Sequence, residues 1–259
     1  MRLFSAAYWT FIALTCIPFF VLALALFVVT VPFDRRRVVL HLYSCFWAVF
    51  YIHANPLWSL RVVGRQKLPW RGPAVIVANH ASLIDILTLF ALYRPFKWVS
   101  KASVFRVPLI GWNMKLNDYV GLVRGNRRSI LKMMDECRAH LRRGTPVLLF
   151  PEGTRTKTGE LQDFKDGAFR LATDMKCPVI PVAVHGTADS LPKHGFVLRN
   201  RMRGLVEVLD PIAPGDLTTS ELRDATRSVI ADALGRRRPS VRPDALEPTQ
   251  GGQEGQMAS

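Results

Sequence analysis

Charge is absent from long stretches of this 259-residue chain, and acidic charge is scarce throughout. Within residues 1–60 the charged side chains are Arg2, Asp34, Arg35, Arg36 and Arg37, and two uncharged runs cover 8–31 and 38–60. Overall, 20 Asp and Glu face 35 Lys and Arg, a net charge of +15. Such an excess implies an anionic partner: nucleic acid, an anionic lipid surface or a phosphorylated substrate. No helix-turn-helix, zinc or RNA-binding signature accompanies it, which argues against nucleic acid. Cysteine is also sparse. Cys16, Cys45, Cys137 and Cys177 form no C-x-x-C motif, so they read as free thiols in a reducing compartment rather than a disulfide framework. The histidines are scattered and make no zinc-like cluster, so no metal site is expected. Neither G-x-x-x-x-G-K-[ST] nor G-x-G-x-x-G occurs, which removes two glycine-based phosphate cradles.

The run at 8–31 exceeds the ~20 apolar residues that cross a hydrocarbon core. It is too long for a signal-peptide core and has no clear small-x-small cleavage site, so it is expected to be retained. Three arginines follow it against one before, which places the remainder of the chain on the cytoplasmic side. The second run is rich in aromatics: Tyr43, Phe46, Trp47, Phe50, Tyr51 and Trp58. Either the first run spans while the second lies in the interface, or both dip into one leaflet as a helical hairpin. A third reading makes 38–58 a core helix of the following domain. The expected organisation is a membrane-embedded helical region at 1–60, a folded domain at 61–235 and a disordered basic and polar tail at 236–259.

Within the body, short apolar runs alternate with helical periodicity. Strands are expected at 74–78, 96–100, 119–123, 147–150, 179–184 and 204–209. Helices are expected at 82–93, near Pro108, at 129–143 closed by Gly144, at 166–175 and at 218–234, the last opened by the capping-box spacing of Thr218 and Glu221. This alternation argues for an α/β domain with a mainly parallel sheet flanked by helices. Ligands of such sheets collect beyond the carboxyl ends of the strands.

Two segments sit just past strand ends. Asn79-His80-Ala81-Ser82-Leu83-Ile84-Asp85 places a histidine five residues before an aspartate. In a regular helix these would be ~140° out of phase, so the pairing needs a turn that folds His80 back over the first helical turn. A carboxylate on one ring nitrogen would fix the tautomer and leave the other nitrogen to take a proton. The competing reading is a capping turn, with Asn79 or Ser82 at the cap and Asp85 in a favourable first turn. Ser82 is not read as a nucleophile, because it lacks the G-x-S-x-G elbow. The second segment runs through Pro151, Glu152, Gly153, Thr154 and Arg155, with Lys165 nearby. Glycine admits close backbone approach and arginine offers a fork matched to phosphate oxygens; a solvated surface turn has the same composition. Lys101 and Arg124 each follow a strand and could point into the same crevice; taken singly, each reads better as a surface cation.

Together these segments resemble the glycerolipid acyltransferase family, specifically its 1-acyl-sn-glycerol-3-phosphate acyltransferases. The family's N-H-x-x-x-x-D motif is matched by Asn79, His80 and Asp85, and its F-P-E-G-T-R motif by Phe150, Pro151, Glu152, Gly153, Thr154 and Arg155. An apolar V-I-P-V strand is matched at Val179, Ile180, Pro181 and Val182. A strand ending in arginine is matched more loosely by Val120, Gly121, Leu122, Val123 and Arg124, and Lys101 holds the family's intervening lysine position. The resemblance spans about 61–215. It implies transfer of an acyl chain from acyl-CoA or acyl-carrier protein to the sn-2 hydroxyl of lysophosphatidate, giving phosphatidic acid at the cytoplasmic membrane, with no cofactor beyond the thioester co-substrate. His80 would be the general base and Asp85 its orienting acid. Lys101 and Arg155 would hold the phosphate, with Glu152 and Gly153 lining the acceptor site and Arg124 and Thr154 among the substrate-binding residues. Two alternatives stay open: another acceptor such as a lyso-ornithine lipid, or a basic protein that binds anionic membrane lipids without catalysis. The second accounts for the charge and the apolar N-terminus but not for the histidine–aspartate pair.

Overall fold

The structure is a computed structural model that describes residues 2–156, 160–188, 190–191, 197–198 and 201–236. Seven strands form one sheet: β1 (Trp58–Val63), β2 (Val75–Ala78), β3 (Lys97–Lys101), β4 (Val120–Leu122), β5 (Val147–Leu149), β6 (Val179–His185) and β7 (Met202–Val208). Their spatial order is β1-β7-β6-β2-β5-β3-β4. The run β6-β2-β5-β3-β4 is parallel; β7 pairs antiparallel with β6, and β1 pairs parallel with β7. The helices are α1 (Arg2–Thr30), α2 (Val38–His53), α3 (Ile84–Phe90), α4 (Ile110–Leu116), α5 (Arg127–Arg142), α6 (Gly167–Asp174) and α7 (Thr219–Gly235). The expected α/β architecture is therefore present.

Every residue of β2 is buried, as befits a parallel strand covered on both faces. Side-chain alternation sorts it between two cores. Val75 and Val77 join Val147, Leu149 and Val179 under α5, α6 and α7, with Cys137, Leu141, Phe169, Leu222 and Ile230. Ile76 and Ala78 join Leu148, Ile180 and Val182 under Leu89 and Leu92, at and beyond the end of α3. Local signals set the ends of α5 and α7. The Asn126 side chain accepts from the Ser129 N–H at 2.9 Å, and Thr218 and Glu221 form a reciprocal capping box.

α1 and α2 are antiparallel neighbours joined by aromatic packing. Phe19 lies 5.5 Å from Trp47 and 5.1 Å from Phe50, centroid to centroid. Their environments differ. α1 exposes Leu14, Ile17, Val21, Leu22, Leu24, Val28 and Val29, and is long and apolar enough to cross a membrane. α2 is buried along most of its length and docks onto the α/β body. His41 bonds the Tyr119 hydroxyl at 2.7 Å and the Arg94 carbonyl at 3.0 Å, and Ser44 Oγ accepts from the amides of Asn113 and Asn117 at 3.0 Å. It thus packs as a helix of the body on one side and as the partner of α1 on the other. The sheet begins at Trp58, so the composition change at Arg61 falls inside β1 rather than before it. Apart from Arg236, the tail read from the sequence lies outside the described residues.

Between β3 and α4 the chain makes a 3-10 turn (Ala102–Arg106) against which Gly111 packs without clearance. A Cβ at 111 would sit 2.5 Å from the Phe105 carbonyl carbon and 2.6 Å from the carbonyl oxygens of Val104 and Phe105. These are backbone atoms and cannot rotate away. Gly111→Ala is expected to lower stability by about 1–3 kcal/mol, the usual range for overpacking, read as a drop in thermal melting temperature of the detergent-solubilised protein.

Candidate active site

The five parallel strands present their carboxyl ends along one sheet edge. Reading across it, β6 leads to Thr187, β2 to Asn79 and His80, β5 to Phe150 and Glu152, β3 ends in Lys101, and β4 leads to Arg124. Residues from Asn79 to Thr187 in sequence therefore meet because of the strand order alone.

Asn79 extends the ladder beyond β2 with its side chain. Its Nδ2 donates to the Val184 carbonyl at 3.0 Å and its Oδ1 accepts from the Val184 N–H at 2.8 Å. The chain then turns. His80 Nδ1 lies 2.9 Å from Asp85 Oδ2, and the same oxygen accepts from the N–H groups of Ala81 and Ser82 at 2.7 and 2.8 Å. Thr187 Oγ1 donates to Asp85 Oδ1 at 2.5 Å. A carboxylate only accepts, so Nδ1 carries the hydrogen and Nε2 presents its lone pair. Asp85, in the first turn of α3, thus binds the two N–H groups that precede the helix, and Ser82 Oγ accepts from the Ile84 N–H at 3.4 Å. Neither Asn79 nor Ser82 occupies the cap position, which belongs to Leu83 without a side-chain bond. Ser82 is fully buried, and its hydroxyl contacts the Leu191 carbonyl at 3.5 Å.

The second loop grips His80 from three directions. The His80 N–H donates to Glu152 Oε1 at 2.7 Å, and the His80 carbonyl accepts from the Thr156 N–H at 2.9 Å. The Phe150 ring stacks on the imidazole at 3.9 Å between centroids and 12° between planes. Glu152 is buried, and its other oxygen accepts from the backbone and side-chain nitrogens of Gln162 at 3.2 and 3.0 Å. Burial raises its pKa above the ordinary carboxylate value, opposed by the hydrogen bonds from His80 and Gln162. The Glu152 carboxylate is therefore occupied by protein donors behind His80, whereas the sequence reading had it among the acceptor-site residues.

The cations lie outside this knot. Lys101 and Arg124 are exposed and line the mouth of a cavity of about 580 Å³ whose wall also includes Phe150 and Gly153. From there the cavity runs between α1, α2, α3 and α4, past Leu87, Met114, Trp47, Tyr51 and Ile12. Gly153 has φ +73, and a Cβ there would meet Lys165 Nζ at 2.9 Å, so the ammonium rests against this glycine. Arg155 is half-buried and Thr154 exposed, its carbonyl accepting from Gln162 Nε2 at 3.1 Å.

A sequence model of the Acyltransferase family matches residues 59–185. A 1-acyl-sn-glycerol-3-phosphate acyltransferase of Chlamydomonas reinhardtii is 37% identical over 228 residues, 87% of this chain and 67% of that protein. The chain belongs to the 1-acyl-sn-glycerol-3-phosphate acyltransferase family. A chloroplastic family member of Arabidopsis thaliana is 35% identical over 77% of this chain and 55% of its own length, and one of Saccharomyces cerevisiae is 34% identical over 68% and 60%. The chain thus spans roughly 55% to 67% of the length of these curated relatives. In fold, it matches the crystal structure of the 1-acyl-sn-glycerophosphate acyltransferase of Thermotoga maritima with TM-score 0.72 at 22% identity, over 92% of this chain and 97% of that one. The matched residues 59–185 include the His80–Asp85 pair and the Phe150–Arg155 loop that grips it.

Thr187 was not singled out from sequence. Its only signal is position, one residue past a glycine that ends an apolar strand, which is the kind of place His80 also occupies. Thr187→Val keeps the shape and removes the donor to Asp85. A hydrogen bond to a charged group contributes about 1.5–3 kcal/mol, so kcat is expected to fall about 10- to 100-fold with KM little changed, measured by steady-state kinetics. A second expectation concerns Glu152. With its pKa raised, the folded chain keeps a proton that the unfolded chain has already released, so this group's contribution to stability falls as pH rises through that interval. Glu152→Gln cannot titrate. Melting curves across the acid range should show the wild type losing ground relative to Glu152→Gln as pH increases.

Proposed function

We propose that this chain transfers an acyl group from an acyl thioester to the sn-2 hydroxyl of lysophosphatidate, giving phosphatidic acid at the surface of a membrane. The observation that carries this reading is the posture of His80. Its ring is oriented by Asp85 and stacked on Phe150, its backbone is fixed at both N–H and C=O, and Phe150 itself walls the apolar cavity.

In the step proposed, Nε2 of His80 takes the hydroxyl proton as that oxygen bonds to the thioester carbonyl carbon. Asp85 stabilises the imidazolium so formed. The tetrahedral adduct collapses with cleavage of the C–S bond, and the imidazolium returns the proton to the departing sulfur. General-base assistance of this kind contributes ~10²–10⁴-fold, and alignment of two bound substrates contributes further. Lys101 and Arg124 line the same cavity as Phe150 and Gly153, and Lys165 rests against Gly153, so with Arg155 they offer positive charge suited to a phosphate monoester. The apolar cavity suits an acyl chain, each buried methylene favouring binding by ~0.8 kcal/mol. The thioester is that of coenzyme A or of acyl-carrier protein; both present the same reacting atoms.

The apolar α1 associates the chain with a membrane. Arg35, Arg36 and Arg37 immediately after it favour a cytoplasmic domain on the cytoplasmic membrane, in contact with anionic lipid. Purified protein with radiolabelled acyl thioester and lysophosphatidate is the test. Phosphatidic acid is expected with the wild type, and His80→Ala is expected to lose at least about 10²-fold of that rate while remaining in the membrane fraction. Transfer to neutral lysolipids but not to lysophosphatidate would remove the acceptor assignment, and full activity of His80→Ala would remove the base.

A further inference from the structure

The segment between β3 and β4 carries a feature that the proton chemistry does not use. Val107, Ile110 and Trp112 are large apolar residues that stand 43%, 44% and 46% exposed. The charged residues between 101 and 117 are Lys101, Arg106 and Lys115, all exposed, with no acidic residue among them. The backbone here is built rather than slack. Leu109 sits at φ 63, ψ −60, and the Ile110 N–H reaches the Pro108 carbonyl at 2.6 Å. That is a γ-turn of the positive-φ kind, rare because it is strained. The turn drives Leu109 inward onto the cluster of Cys16, Trp47 and Tyr51 between α1 and α2, while its neighbours Val107 and Ile110 line the rim of the apolar cavity and remain partly exposed to the exterior. Gly111, pressed against the Ala102–Arg106 turn, locks the same shape from behind.

We propose that residues 102–116 form a second lipid-contacting surface, separate in sequence from the N-terminal helices, that seats the wall of the apolar cavity in an anionic leaflet. Continuity with α1 identifies the occupant. Trp112 packs edge-on against Phe20 of α1 at 5.6 Å between centroids. Ile17, Val21 and Leu24, which flank Phe20 on that helix, are exposed apolar residues as well. Trp112 therefore prolongs the apolar flank of a membrane-associated helix, and its ring suits the depth of the headgroups. Arg106 and Lys115 at the rim match anionic lipid, and the amphipathic pattern is that of an interfacial element. The same segment supplies Val104, Val107, Ile110, Asn113 and Met114 to the cavity, so the residues that meet the leaflet also form the cavity wall.

All four native cysteines are buried, so a cysteine placed at 107 can be labelled selectively. The full chain carrying Val107→Cys with an environment-sensitive fluorophore is reconstituted in phosphatidylcholine vesicles containing phosphatidylglycerol and a nitroxide-bearing phospholipid. The control is Val229→Cys on α7, which lies over the opposite face of the sheet. Quenching at 107 is expected to exceed that at 229 several-fold, and Trp112→Glu is expected to reduce it several-fold while the protein stays with the vesicles. Equal quenching at both positions overturns the proposal, as does quenching at 107 that Trp112→Glu leaves unchanged. A label at 107 that becomes buried on raising protein concentration without lipid also overturns it, and assigns the surface to a second copy of the chain. None of these readouts needs turnover, so this proposal and acyl transfer stand or fall separately.

Discussion

The bond from the His80 N–H to the buried carboxylate of Glu152 joins the two halves of the site. It crosses from the end of β2 to the end of β5, neighbouring strands in the sheet, and it is reinforced by the Thr156 N–H on the His80 carbonyl. A histidine at a strand end would otherwise retain backbone freedom, and its ring would sample several directions. With both main-chain groups bound and Phe150 beneath the ring, the remaining variable is the side-chain rotamer, which Asp85 selects. The burial that raises the Glu152 pKa also strengthens its hold on these donors, since a hydrogen bond gains strength where water is excluded.

Asp85 shows the same economy. One oxygen takes the imidazole and two backbone N–H groups, the other takes Thr187. Four donors converge on this fully buried side chain and fix its orientation. Because Asp85 lies in the first turn of α3, this one side chain ties the turn at His80 to that helix.

Much of this was legible in the sequence because it is local. The apolar runs that become β2, β5 and β6 stand clear of their surroundings, and Thr218 with Glu221 announces α7. The His80–Asp85 spacing signalled a turn because no regular helix would join the two. What escaped depends on distant partners. Glu152 reads as a loop acid until its donor, 72 residues away, is in view, and Thr187 meets Asp85 across 102 residues. β1 was hidden because Trp58–Val63 continues an aromatic run without a break, and its burial merely alternates. The antiparallel setting of β7 on β6 was equally invisible, since side-chain periodicity is the same in either direction. The split character of α2 follows from His41 meeting Tyr119, a contact over 78 positions that hydropathy does not report.

The strand order has one more consequence. The groups that hold and orient the imidazole come from β6, β2 and β5, while Lys101 and Arg124 come from the two outer strands, β3 and β4. At ~4.8 Å per strand, Arg124 begins about 14 Å from the strand that bears His80. In the proposed function, reactivity and headgroup recognition would lie side by side on one edge, with the β5 loop belonging to both. On that reading, changes confined to the outer two strands would alter the lipid accepted while leaving the proton-handling strands intact.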